Sequence, residues 1–162
     1  MDEKNVVIKI NQISTGFIEV PNQVSMNIYV QGCNKSCSGC QNVDLQTFHG
    51  GYPLYLDVVD SLLFNFSLCK WICWLGGDAV YQPESLNRFN KEFKRRNLKV
   101  CLYTGKLFTE LSGSILENLD LVIDGEWMGI PVTEKNSNQT VWIRDNDLGW
   151  SVISWNDLKK IL

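Results

Sequence analysis

The sequence predicts an α/β fold: a partial, open (β/α) barrel of about five to six mainly parallel strands, in one domain over residues 1–162. Three observations predict it. Short apolar runs alternate four times with stretches of helical period, as βαβ units with right-handed crossovers require. The runs end in loops that carry glycine, at Gly32, Gly76-Gly77, Thr104-Gly105 and Asp124-Gly125. The 162 residues suffice to bury a core but fall short of the roughly 250 that a complete eight-unit barrel needs.

The elements are expected in this order. Residues Val6–Val20 read as two short strands around Ser14-Thr15-Gly16, and Ser25–Val30 as a strand that enters Gly32. Pro53 suits the first turn of a helix. Leu54, Val58, Leu62 and Phe66 follow at i, i+4 spacing, with Val59 and Leu63 beside them, for about four turns. Trp71–Leu75 is a buried strand. Pro83 opens a helix with Leu86, Phe89 and Phe93 inside, and with Lys91, Lys94, Arg95 and Arg96 outside and at the end. That basic run reads as a solvated helix end favoured by the helix dipole, rather than a nucleic-acid site. Val100–Tyr103 is a strand, Leu107–Asn118 a helical stretch and Leu119–Ile123 a strand. Beyond Asp124-Gly125 the periodicity weakens, until Ser154 and Asp157 mark a capping box before a short terminal helix over Leu158–Leu162.

A net charge of −3 gives no basic footprint for nucleic acid. No apolar run approaches the roughly 20 residues of a membrane span. Met1–Asn5 has no basic segment leading into an apolar one, so no secretory signal is expected. With six cysteines in a chain that does not need staples, the compartment reads as reducing and cytosolic.

In parallel α/β folds the loops after the strands share one edge, and that edge binds ligands. The richest of these loops holds Cys33, Cys37 and Cys40 in a C-x3-C-x2-C motif. Three thiolates on one loop suit an iron–sulfur cluster with one iron left open. A zinc site completed by His49 and incidental cysteines remain the alternatives. Cys69, Cys73 and Cys101 read as buried core thiols, or else as a fourth cluster ligand or a redox pair. Asp78 reads as a site residue or a plain cap, Thr104 as a site or turn residue, and Asn136–Gln139 as a turn or part of a substrate entrance. Trp127, Trp142, Trp150 and Trp155 cover the sheet or form a docking surface.

The cysteine loop resembles that of radical S-adenosylmethionine enzymes. Gly32-Cys33 through Cys40-Gln41-Asn42 is similar, within that superfamily, to the activating proteins of anaerobic (class III) ribonucleotide reductase. Leu75-Gly76-Gly77-Asp78, Tyr103-Thr104-Gly105, Val122-Ile123-Asp124-Gly125 and Asn136-Ser137-Asn138-Gln139 continue the resemblance in register, over roughly residues 16–142. It implies that Cys33, Cys37 and Cys40 ligate three irons of a [4Fe-4S] cluster whose fourth iron chelates S-adenosylmethionine. Gly39, Cys40 and Gln41 would line the adenosyl portion, Gly76, Gly77 and Asp78 would meet the methionyl ammonium, and Thr104 would lie near the ribose. Asp124 shares that edge without an implied role.

The implied reaction is reductive cleavage to a 5′-deoxyadenosyl radical, which takes a hydrogen atom from a glycine of the partner reductase. The chemistry is borne by the cofactor, with no catalytic side chain. The implied partners are the reductase large subunit and a reducing donor such as a flavodoxin or thioredoxin-like protein. Neither nucleic acid nor membrane takes part. Three positions depart from the family pattern: Gln41 replaces an aromatic residue, Ala79 a proline and Lys35 a frequent histidine. Two other functions compete. One is a radical S-adenosylmethionine enzyme acting on a small molecule, of the 7-carboxy-7-deazaguanine synthase kind. The other is a non-catalytic metal or electron-transfer module. An incomplete barrel would leave its side open to a large partner.

Overall fold

The computed structural model describes residues 6–162; the expectation about a leader at Met1–Asn5 lies outside the described residues. The described residues build one sheet from β1 (Val7–Gly16), β2 (Ser25–Val30), β3 (Tyr52–Tyr55), β4 (Trp71–Gly76), β5 (Lys99–Thr104), β6 (Leu121–Asp124), β7 (Thr140–Asp145) and β8 (Gly149–Ile153). Their order across the sheet is β3-β1-β2-β4-β5-β6-β7-β8, with β3 and β8 as its edges. The centre, β2-β4-β5-β6, is parallel. The flanks, β3-β1-β2 and β6-β7-β8, are antiparallel.

The expected five to six mainly parallel strands are therefore corrected to eight strands of mixed direction. The crossovers between β2 and β6 are long enough to return the chain for parallel pairing. The other connections are tight or simply reverse it.

Four elements differ from expectation. Val7–Gly16 is one strand, because Ser14 and Thr15 stay paired to Asn27 and Met26 and the chain turns further on, at Asn22 with φ +60°. Pro53 lies in β3 rather than in a helix, opposite Lys9. An edge strand tolerates a residue without an N–H. The four-turn helix shrinks to a 3-10 turn over Leu56–Val58 and α1 (Val59–Asn65). The stretch Leu107–Asn118 is broken by an extended Leu111-Ser112 into a 3-10 turn at Phe108–Glu110 and α3 (Gly113–Leu116). The aperiodic tail is the β7–β8 hairpin followed by α4 (Trp155–Ile161). The Ser154 Oγ accepts the Asp157 N–H of α4 at 3.1 Å.

Strand alternation sends side chains to two faces. One face carries Met26, Ile28, Ile72, Trp74, Val100, Leu102 and Val122. It packs on α2 (Pro83–Arg95), which fully buries Leu86, Phe89 and Phe93, worth roughly 1.5–3 kcal/mol for each side chain. The Trp74 indole N–H donates to Asn90 Oδ1 at 2.7 Å, while among the described residues Asn90 Nδ2 has no partner. The other face carries Trp71, Cys73, Cys101, Leu121, Ile123 and Val141 and is covered by Val20, Trp155 and Leu158. The Asn22 amide donates to the Lys159 carbonyl at 2.8 Å and ties that cover together. No helix among the described residues is long and apolar enough to cross a membrane.

Candidate metal and cofactor site

The parallel centre brings the ends of β2, β4, β5 and β6 to one edge. There a solvent-open cleft of about 500 Å³ is lined by Cys33, Cys37 and Cys40 together with Gly76, Gly77, Asp78, Thr104, Gly105 and Gly125. Of the remaining sequence-predicted site residues, Gln41 also lines it. Gly39 sits in the cysteine loop with φ +71°, and its carbonyl accepts the Trp127 indole N–H at 3.1 Å. His49 is exposed and takes no part in the lining.

Main-chain bonds hold the cysteine loop at the strand ends. Gly32 N–H donates to Leu45 O at 2.8 Å, Cys33 N–H to Gln46 O at 2.9 Å and Asp78 N–H to Gly32 O at 2.9 Å. Two glycines permit this layering. Gly32 has φ +103°, a conformation that suits glycine. A Cβ on Gly77 would stand 2.5 Å from the Gly32 carbonyl oxygen. The glycine pair after β4 thus lets the loop after β2 lie directly upon it.

Asp78 is 1% exposed. Its Oδ2 accepts the Thr104 hydroxyl at 2.8 Å and the Gly105 N–H at 2.9 Å, and its Oδ1 accepts the Val80 N–H at 3.2 Å. Burial pushes the carboxyl above its ordinary value, opposed by these three donors and by Lys106. Asp78 and Thr104 therefore clamp the loops after β4 and β5 to one another as well as lining the cleft. Asp124 accepts the Phe108 N–H through Oδ2, while its buried Oδ1 has no partner among the described residues.

The Cys33, Cys37 and Cys40 thiols are free and half-buried, and all three face the cleft. The Lys35 N–H donates to Cys33 Sγ at 3.3 Å. Burial pushes the Cys33 thiol up, with Asp78, Cys37 and Cys40 adding to the effect and the Lys35 backbone opposing it. Among the described residues no three Cys, His, Asp or Glu side chains converge on the position of a single ion. His49 lies outside the cleft lining, whereas a cluster, whose thiolates bind separate irons, fits three soft donors spread round one loop. Cys69, Cys73 and Cys101 are buried in the two cores. Cys73 and Cys101 are register neighbours on β4 and β5.

The cleft contains residues to which the sequence reading gave no site role: Glu19, Tyr29, Lys35, Tyr103, Pro131, Val132 and Thr133. Tyr29 was within reach, since alternation along β2 puts it on the face of Asn27. Lys35 lies within the cysteine motif and Tyr103 beside Thr104, whereas Glu19, Pro131, Val132 and Thr133 come from long-range packing. Trp127 and Trp155 both line the cleft. Trp142 instead stacks on Phe108, with ring centroids 4.2 Å apart.

The structure is similar to that of QueE from Escherichia coli, with a TM-score of 0.54 over 73% of this chain and 70% of that one, at 10% identity. This likeness is one of fold. No curated protein matches the sequence. The 4Fe-4S single cluster domain family matches residues 23–144, a span that contains the cysteine loop and the ends of all four parallel strands. The chain belongs to that family, and the group it carries is a [4Fe-4S] cluster.

Proposed function

We propose that the protein is a radical S-adenosylmethionine enzyme in which Cys33, Cys37 and Cys40 hold the cluster and S-adenosylmethionine fills the cleft in front of it. One observation carries this reading: the three thiols and the loops after β4, β5 and β6 line a single cleft of about 500 Å³, a volume suited to a cofactor of that size. When bound, the reduced cluster and its cofactor supply one-electron cleavage of a carbon–sulfur bond.

The chain's own part is to bind and to shield. The Gly39-Cys40-Gln41 backbone and the part of Gly76-Gly77 that faces the cleft offer polar groups at close approach. The Asp78–Thr104 pair keeps two loops in fixed relation. Trp127 and Trp155 narrow the access of water, which strengthens every polar contact inside.

For the substrate, the fold likeness to QueE favours a small molecule. A second reading, activation of a class III ribonucleotide reductase by glycyl-radical formation, is favoured by the motifs shared in register and by the cleft's apolar rim. Ile18 lines the cleft and is 77% exposed. Phe17 beside it is 68% exposed, and Met128 beside Trp127 is 66% exposed. Such a rim suits a protein surface better than a small polar ligand. A flavodoxin or thioredoxin-like donor and a cytoplasmic setting go with either reading.

The test is anaerobic reconstitution, reduction and addition of S-adenosylmethionine, with 5′-deoxyadenosine quantified for wild type and Cys37→Ala. Cysteine-dependent product supports the reading. A fully loaded, reduced cluster that yields none, even with the reductase or a pterin present, overturns it in favour of a closed electron carrier. Stimulation by a carboxylated pterin selects the small-molecule substrate, and a glycyl radical on the reductase selects the activase.

A further inference from the structure

The charged side chains that line the cleft are Glu19, Lys35 and Asp78. Both Asp78 oxygens are taken by protein donors. Glu19 Oε2 accepts the Ile18 N–H at 3.3 Å. Lys35 differs: among the described residues its ammonium makes no ion pair. By contrast, half-buried Lys94 meets Asp120 at 2.7 Å.

Lys35 is also held in place. Its N–H is bonded to Cys33 Sγ. Its Cγ lies 3.2 Å from where a Gly105 Cβ would stand, so the aliphatic stem spans the gap from the cysteine loop to the loop after β5. A cation with an anchored stem and no protein counter-ion is poised for an anion that arrives with a ligand. The surroundings make it needed. A cluster on three thiolates is anionic, and Glu19 and Asp78 add acidic groups to the same wall. Among the described residues Lys35 is the one cationic side chain in the cleft lining, and an entering carboxylate meets acidic groups on the rest of that wall.

We infer that Lys35 binds the carboxylate of the ligand that occupies the cleft, which on the reading proposed above is the methionyl carboxylate of S-adenosylmethionine. Lys35 is then a binding residue for the amino-acid end of the cofactor, supplied from within the cysteine motif itself.

The experiment uses the full chain, reconstituted and kept oxidised so that no turnover occurs. Dissociation constants for S-adenosylmethionine and for decarboxylated S-adenosylmethionine are measured with wild type, Lys35→Gln and Lys35→Arg, after iron and sulfide are quantified in each. Lys35→Gln is expected to weaken S-adenosylmethionine roughly 10- to 100-fold, as loss of a charge-assisted bond does. It should leave the decarboxylated ligand unchanged, and Lys35→Arg should recover most of the affinity. If Lys35→Gln fails to load iron, Lys35→Met, which keeps the stem against Gly105, takes its place. Equal weakening of both ligands, or unchanged binding of S-adenosylmethionine, overturns the assignment. Wild type with a full cluster that binds neither ligand overturns the cofactor reading, and this inference with it.

Discussion

Replacing Thr104 by valine keeps a buried β-branched side chain on β5 and removes one hydroxyl. That hydroxyl donates to Asp78 Oδ2 at 2.8 Å and accepts the Lys106 N–H at 3.1 Å. Asp78 is 1% exposed, so water cannot replace the lost donor. A hydrogen bond to a charged group contributes about 1.5–3 kcal/mol, and stranding the Lys106 N–H adds up to about 1 kcal/mol. Thr104→Val is therefore expected to destabilise the chain by roughly 2–4 kcal/mol at neutral pH.

The loss has a pH signature. The Thr104 bond lowers the Asp78 pKa, so removing it raises further a value already lifted by burial. The penalty falls on the ionised form and shrinks as pH falls through the folded-state values of the two proteins, both of which lie above the unfolded 3.8. Urea unfolding of both proteins, at pH 7 and at about pH 4, measures it. A loss under about 0.5 kcal/mol at pH 7, or an equal loss at both pH values, would refute the clamp and leave Thr104 as a cofactor contact alone.

In wild type the raised Asp78 pKa makes the folded state hold its proton longer than the unfolded chain. Its contribution to stability is full below pH 3.8 and is lost as pH rises through the folded value; Asp78→Asn should remove that slope in a pH series of unfolding curves. Gly77→Ala drives a methyl into the Gly32 carbonyl oxygen, at a cost of about 1–3 kcal/mol and a lowered iron content. Gly113→Ala meets open space at the start of α3 and should gain up to about 1 kcal/mol, so equal stability and iron in the two variants would sink the argument. Alanine at Cys33, Cys37 or Cys40 should abolish the visible absorption of the cluster, while alanine at Cys69, Cys73 or Cys101 should keep it; loss of colour with Cys73→Ala at normal stability would count against the three-ligand assignment. Ser154→Ala removes the cap of α4 and should cost about 1 kcal/mol by thermal or urea unfolding.

What the sequence discloses divides along a physical line. Buried parallel strands write themselves plainly, as apolar runs closed by glycine. Trp71–Gly76 and Lys99–Thr104 were legible to within a residue or so, and with them the edge where the cleft forms. The helix over Pro83–Arg95 was equally legible, because one face is fully buried and the other solvated. Edge elements are written faintly. Only Leu54 of β3 is buried, and Pro53 counterfeits a helix start. In the hairpin, β8 has no fully buried residue, so its alternation carries little hydrophobic signal. The cysteine spacing pointed to a metal centre but left zinc open beside an iron–sulfur cluster, until the family match decided it. Lys35 stood out only as a departure from a family pattern, because its meaning depends on Gly105, 70 residues away, and on the lack of a counter-ion. Likewise, nothing local in the sequence says that Trp127 reaches back to Gly39.

The cleft wall runs from Ile18 to Trp155 in the sequence, so no short fragment contains it. During synthesis the three thiols emerge before β4, β5 and β6, and long before Trp155 closes over the inner face. Parallel pairings of distant segments are late events in folding. Iron delivered to a half-made chain would meet cysteines with no cleft around them, open to oxidants. The chamber for the cluster is therefore a property of the finished scaffold and not of the cysteine loop alone. A chain cut before α4 would keep every cysteine of the loop and still lack one side of the chamber they serve.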